Sequence, residues 1–180
     1  MRIAVSGTHR SGKSSLIEAL STRLPRYALV DEPYHSMVEE GFEFNHPPSL
    51  EDFVAQLERS LEDMADDAGD VLFDRCPVDL LAYALVHADA DGFDLEDWLP
   101  RVRETMETLD FVVFVPIEAQ DRIRVARDED PDASRAAVDE KLRELLLDDA
   151  LELGVEVLEV KGDVERRVRA VLKELQASAE

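Results

Sequence analysis

The chain has 180 residues, 45% of them hydrophobic, with 42 acidic against 20 basic side chains and a formal net charge of −22. That length suits one domain with a proper core, and the acidic excess excludes nucleic acid and acidic membranes, which are bound through Lys and Arg on phosphates. No apolar run reaches the length of a membrane span, the first residues enter a strand without a signal-peptide pattern, and the one cysteine, Cys76, excludes an internal disulfide. The expected compartment is the cytoplasm. Lysine is scarce beside arginine, a composition that fits either a high-salt environment, where repulsion is screened, or a plain compositional habit.

In chain order, an apolar strand, Arg2 to Ser6, runs into Gly7-Thr8-His9-Arg10-Ser11-Gly12-Lys13-Ser14. These eight residues fit G-x-x-x-x-G-K-[ST], a loop that binds phosphate when a strand precedes it and a helix follows. Here the helix carries Leu16, Ile17, Leu20 and Leu24 on one face. Gly7 and Gly12 let the chain curl so that successive N–H groups converge on phosphate oxygens, and the helix N-terminus adds partial positive charge. Lys13 is expected on the β- and γ-phosphates and the Ser14 hydroxyl on Mg²⁺. Gly7, Thr8, His9, Arg10, Ser11, Gly12, Lys13, Ser14 and Ser15 are thus the expected contacts of a nucleoside triphosphate, taken to be ATP.

Tyr27 to Val30 reads as a short buried strand ending at Asp31-Glu32-Pro33, and 34–48 as a short helix and a loop. Ser49, with Asp52 three residues on, starts a helix with Phe53, Leu57, Leu61 and Met64 on one stripe, closed by Gly69. Val71-Leu72-Phe73 is a third strand ending at Asp74-Arg75. Pro77 opens the next helix, whose buried face is Leu80, Leu81, Ala84 and Leu85. A helix over 95–109 follows, and Phe111 to Val115 is a strand buried on both faces. A basic helix with Arg122, Arg124 and Arg127 leads to the breaker 128–132. A long helix over 133–153, a last strand over 155–160 and a terminal helix striped by Val164, Val168, Val171, Leu172 and Leu175 complete the chain. Strands alternating with helices predict a parallel sheet with helices on both faces, in one domain over 1–180.

Ligands of open parallel sheets sit at the carboxyl ends of the strands. That places Asp31, Glu32, Asp74 and Arg75 near the loop. One carboxylate there can accept a hydroxyl proton, another can serve the Mg²⁺ shell, and Arg75 can neutralise developing charge. Asp31 and Glu32 both remain candidates for the base. Gln56 and Arg59, at i and i+3, flank the Phe53/Leu57 stripe and can meet a polar edge. The arginines at 122, 124 and 127 suit either local salt bridges or a lid over the triphosphate near 120–134. The four histidines lack metal-ligand spacing, and Cys76 has no base beside it in sequence.

These residues in this order resemble the small P-loop kinases, the deoxynucleoside kinase-like group above all, with thymidylate kinase and nicotinamide ribosyl kinase as cousins. AAA-type ATP-binding proteins share the pattern. Glu32-Pro33 looks like the Glu-Pro whose Glu is the general base in those enzymes. Phe53-Val54-Ala55-Gln56 with Arg59 is similar to their base-reading helix, and Asp74-Arg75-Cys76-Pro77 to their acid-Arg-Ser segment. The resemblance implies a three-layer P-loop fold with a five-stranded parallel sheet in the order 2-3-1-4-5. It also implies catalytic roles for Lys13, Glu32, Arg75, Arg124 and Arg127, nucleotide contact by Arg122, and acceptor contact by Glu32, Tyr34, Gln56, Arg59 and Arg75. Mg²⁺ would rest on Ser14 and on Asp74, the latter directly or through water.

Together these features describe a phosphotransferase moving the γ-phosphoryl of ATP to a small nucleoside- or nucleotide-like acceptor, with homodimerisation left open. The alternative is a nucleotide-hydrolysing switch without an acceptor. Against it, no guanine-reading Asn-Lys-x-Asp follows Val115, where Pro116-Ile117-Glu118-Ala119 stands instead.

Overall fold

The computed structural model describes residues 1–65, 69–88, 92–118 and 132–178, with the side chains of 132 and 133 left aside. Five strands, β1 (Arg2–Ser6), β2 (Ala28–Val30), β3 (Val71–Asp74), β4 (Phe111–Phe114) and β5 (Val157–Glu159), form one parallel sheet in the order β2-β3-β1-β4-β5. Among the described residues the helices are α1 (Lys13–Arg23), α2 (Pro33–Glu39), α3 (Leu50–Asp63), α4 (Pro77–His87), α5 (Leu95–Met106), α6 (Asp132–Leu146) and α7 (Val164–Ala177). Three layers result, as expected.

Side chains alternate across the pleat, so the register decides which helices each strand meets. Ile3 pairs with Leu72 and Phe111, and all three pack with Leu16, Ile17 and Leu20 of α1 and Val168 and Val171 of α7. Ala4, Phe73 and Val112 face the other way, into a core shared with α3, α4, α5 and α6. The central strands β1 and β4 are buried on both faces, as a sheet covered by helices demands. On the larger side α4 lies between α3 and α6, and its residues from Pro77 to Ala84 are all buried. A helix enclosed in this way is apolar nearly all round rather than on the one expected stripe.

Three expectations give way. The strand Ala28–Val30 is an edge rather than a buried strand, because the order 2-3-1-4-5 leaves it a neighbour on one side; Leu29 is 47% exposed. The helix expected to reach Leu153 ends at Leu146. Asp149 and Glu152 then take positive φ, and the Asp149 carboxylate caps the Leu153 N–H at 2.6 Å, so a turn replaces the last helical turns. The helix begun at Ser49 stops at Asp63, before Gly69, although its start is as read, with Ser49 and Asp52 in a reciprocal capping box.

Candidate functional site

The site grows from the carboxyl end of β1. Gly7 follows it with φ +148°, where an added Cβ would stand 2.4 Å from the Val115 carbonyl oxygen, so no larger residue fits between the loop and β4. Gly12, at φ +92°, turns the loop into α1. Between them Arg10 holds φ +57° without being glycine. Lys13 folds back under the loop, its Nζ donating to the Thr8 carbonyl at 3.0 Å, and is 5% exposed. Burial and the nearby Arg75 pull its ammonium down to about 8, against the opposing pull of Asp79, Glu32 and Asp74.

The strand ends of β2 and β3 meet the loop through Arg75. It too has positive φ, +78°, and it is clamped on several sides. Its Nε donates to Glu32 Oε1 at 2.7 Å and its Nη1 to the Gly7 carbonyl at 3.0 Å, with Asp79 Oδ1 at 3.5 Å and the Tyr83 ring under the guanidinium. Asp79, wholly buried in the first turn of α4, accepts from the Gly7 N–H at 2.9 Å and reaches back to the Cys76 N–H at 3.1 Å. Tyr83, one turn on, presents its hydroxyl to the His9 N–H at 3.0 Å and lies 3.3 Å from the Thr8 hydroxyl. Burial disfavours the Glu32 carboxylate, but Arg75 and Lys13 outweigh it and hold this carboxyl below its ordinary range. Asp31, by contrast, is exposed at the strand end. Of the two base candidates, Glu32 joins the arginine at the loop.

Asp74 points to the α1 side of the sheet. Burial and its acidic neighbours Glu32 and Asp79 push its carboxyl up to about 6, although Lys13 and Arg75 oppose this. Its Oδ1 is buried with no hydrogen-bond partner among the described residues, and Asp74 and the exposed Ser14 line one cavity of about 530 Å³. Oxygen donors of this kind, a hydroxyl and a carboxylate with capacity to spare, fit the Mg²⁺ that the loop motif implies.

The residues expected to meet an acceptor are occupied differently. Gln56 is buried and its Nε2 donates to the Asp52 carbonyl of its own helix at 3.1 Å. Arg59 grips Glu40 with both terminal nitrogens, at 2.6 and 2.7 Å, and Asp63 with Nε at 2.7 Å, tying α3 to α2. Tyr34 is exposed, its ring against Phe44. Phe53 stacks on Tyr83, linking this helix to the loop side. Arg122, Arg124, Arg127 and all but the end of the expected lid over 120–134 lie outside the described residues.

Sequence reasoning missed four side chains that build this site: Asp79, Tyr83, Arg135 and Arg167. Asp79 had a signal, an acid three residues after Cys76 at a helix start. Arg135 and Arg167 had one as well. Each occupies the apolar stripe of its helix, Arg135 with Val138, Leu142 and Leu145, Arg167 with Val164, Val168 and Val171, where a charge needs a reason.

A family model described as AAA domain matches residues 2–167. Among solved structures, the chain is similar to deoxyadenosine kinase from M. mycoides with bound dATP, at a TM-score of 0.65 and 15% identity over 98% of this chain and 100% of that one. Thymidylate kinase from Candida albicans gives 0.63 and 17% over 99% and 92%. NadR protein in complex with NR gives 0.65 and 19% over 95% of this chain but 50% of that one. No curated relative matches the sequence. At such identities the likeness is one of fold, the fold of the P-loop kinases that the motifs resemble.

Proposed function

The chain belongs to the AAA domain family, and from that premise we propose that it is an ATP-dependent phosphotransferase acting on a small nucleoside- or nucleotide-like acceptor. One observation carries the reading. The carboxylate after the second strand, Glu32, is tied by Arg75 to the carbonyl of the first loop glycine, so an acid and a guanidinium stand beside the phosphate loop. A carboxylate there can take the proton of an acceptor hydroxyl or of a water, so dependence of the rate on an acceptor is what separates a kinase from a hydrolysing switch.

In this reading the amides of Arg10 and of Gly12 to Ser15 cradle the donor phosphates, those of Gly7 and His9 being spent on Asp79 and Tyr83, and Lys13 neutralises the β/γ oxygens. With its pKa near 8 the ammonium stays charged at neutral pH. Ser14 and Asp74 would hold Mg²⁺, which supplies further neutralisation of phosphate charge when bound. Glu32 orients the acceptor hydroxyl and takes its proton. Paired with Arg75 it is a weak base, and a weak base suffices because phosphoryl transfer passes through a loose transition state with little early deprotonation of the nucleophile. Arg75 meets the charge that develops on the transferred group. The test is ATP consumption with and without a panel of nucleosides, nucleotides, ribosylated vitamins and sugars. Strong stimulation by one acceptor class supports the kinase, whereas slow hydrolysis that no acceptor changes would leave the switch as the better reading.

A further inference from the structure

We propose that Arg135 of α6 and Arg167 of α7 are positioning residues that hold the phosphate loop in its anion-binding shape before any phosphate arrives. The proposal rests on the nucleotide-binding reading of that loop. Five successive loop carbonyls are each taken by a cation. Arg75 Nη1 donates to Gly7 O at 3.0 Å and Lys13 Nζ to Thr8 O at 3.0 Å. Arg135 spans two, with Nε to His9 O at 3.0 Å and Nη2 to Arg10 O at 3.1 Å. Arg167 Nη1 takes Ser11 O at 3.1 Å.

In a planar trans peptide the C=O and the next N–H point in opposite directions. Oxygens of His9 and Ser11 drawn out to the two arginines therefore turn the N–H groups of Arg10 and Gly12 the other way. Without those partners the peptides are free to rotate and present oxygens to an incoming anion. Both arginines are nearly sealed, 6% and 4% exposed. Desolvating a guanidinium on an apolar stripe is costly unless its donors are engaged, and here Arg135 spends Nε and Nη2, and Arg167 Nη1, on loop carbonyls. Glu118, just after β4, fixes Arg167 in turn: its Oε1 accepts from Arg167 Nη2 at 2.9 Å and from the Gly162 N–H at 2.6 Å. A Cβ on Gly12 would stand 2.6 Å from Arg167 Nη1, so the arginine lies close against the loop, at a residue whose φ of +92° itself favours glycine. The same crowding of cations shows at His9, whose imidazole is lowered to about 4 by burial and then by Arg75, Arg135, Lys13 and Arg10. A triphosphate approaching this acidic chain meets a loop whose carbonyls are held by four cations, Lys13, Arg75, Arg135 and Arg167.

The experiment is calorimetric titration with inorganic tripolyphosphate of the wild type, Lys13→Ala, Arg135→Met, Arg167→Met, Arg135→Lys and Arg167→Lys. A melting curve and amide hydrogen exchange of the loop in the absence of ligand accompany each. Expected are binding by the wild type that Lys13→Ala abolishes, about tenfold or greater weakening in each folded Met variant, and faster exchange over 7–12. A lysine keeps the charge but cannot bridge two acceptors with a planar fork, so each Lys variant should recover only part of the affinity. Should a Met variant fail to fold, its Lys counterpart decides. Wild-type affinity and exchange in the folded Met variants would overturn the proposal, as would full recovery by lysine, which would leave charge alone as the cause. If the wild type itself ignores tripolyphosphate, the nucleotide-binding reading fails and takes the proposal with it.

Discussion

Hydrogen bonds at the phosphate loop reach across the chain, whereas Gln56 and Arg59, the side chains of α3 expected beside an acceptor, bond close by in sequence. Arg75 finds Gly7 68 positions away, Arg135 finds His9 126 away, and Arg167 finds Ser11 156 away. Gln56 bonds Asp52 four positions back, Arg59 bonds Asp63 four ahead and Glu40 19 back, and the Asn45 N–H bonds Asp52 seven ahead. The loop is held by buried groups from α1, α4, α6 and α7 and by Arg75. α3 is also tied farther off, by the Arg101–Glu58 pair, but that pair is exposed, and exposed pairs exchange partners at little cost. Under the proposed function, buried long-range bonds around the donor phosphates and exposed pairs near the acceptor suit a phosphate group that is always the same and an acceptor that must be selected.

The sharpest way to break this contrast is at its loop end. Lys13→Ala removes the one ammonium under the loop and should lower phosphoryl transfer on the order of 10³-fold or more; steady-state transfer within tenfold of wild type would show that the loop is not the catalytic one. Glu32→Gln sits at the junction of the two regions. Turnover should fall roughly 10²- to 10⁴-fold with ATP affinity barely changed, while the exposed Asp31→Asn serves as control and should do little. A collapse in Asp31→Asn instead would move the base to that residue. If the acceptor group is a phosphate, Glu32→Gln should raise KM rather than lower kcat.

A smaller effect concerns pH. The folded state holds His9 near 4, below its usual 6.5, through burial first and then the surrounding cations. Between those two values the unfolded chain binds more protons than the folded one, so stability rises with pH through this window and is lost as pH falls from 6.5 towards 4. Because His9 is only partly buried, its share should be about 1 kcal/mol. Urea unfolding at pH 7 and pH 5 should show a smaller loss for His9→Gln than for wild type; equal losses would remove His9 as the cause. The smallest effect is expected from Arg59→Met, which cuts the α2–α3 tie. If the tie is local and structural, melting temperature drops slightly and the acceptor KM stays within about twofold; a large rise in KM at unchanged kcat would make Arg59 an acceptor contact.

Whatever depends on neighbours in sequence was open to inspection in the sequence. The phosphate loop, the capping box at Ser49, the Pro77 helix start and the apolar stripes of α1, α3 and α7 are local patterns, each set by the chain's own geometry over a turn or a strand. The alternation of strands and helices announced the parallel sheet, and the strand order followed from the resemblance its motifs carried. Tertiary structure alone decided the rest. Sheet order turned β2 into an edge and exposed Leu29. The same docking of distant helices put Asp79, Tyr83, Arg135 and Arg167 on the loop. A buried arginine on an apolar stripe signals that a partner exists, but a carbonyl more than a hundred residues away carries no side-chain mark by which sequence could name it. Every residue has the same backbone oxygen, and only the fold chooses which one the guanidinium meets.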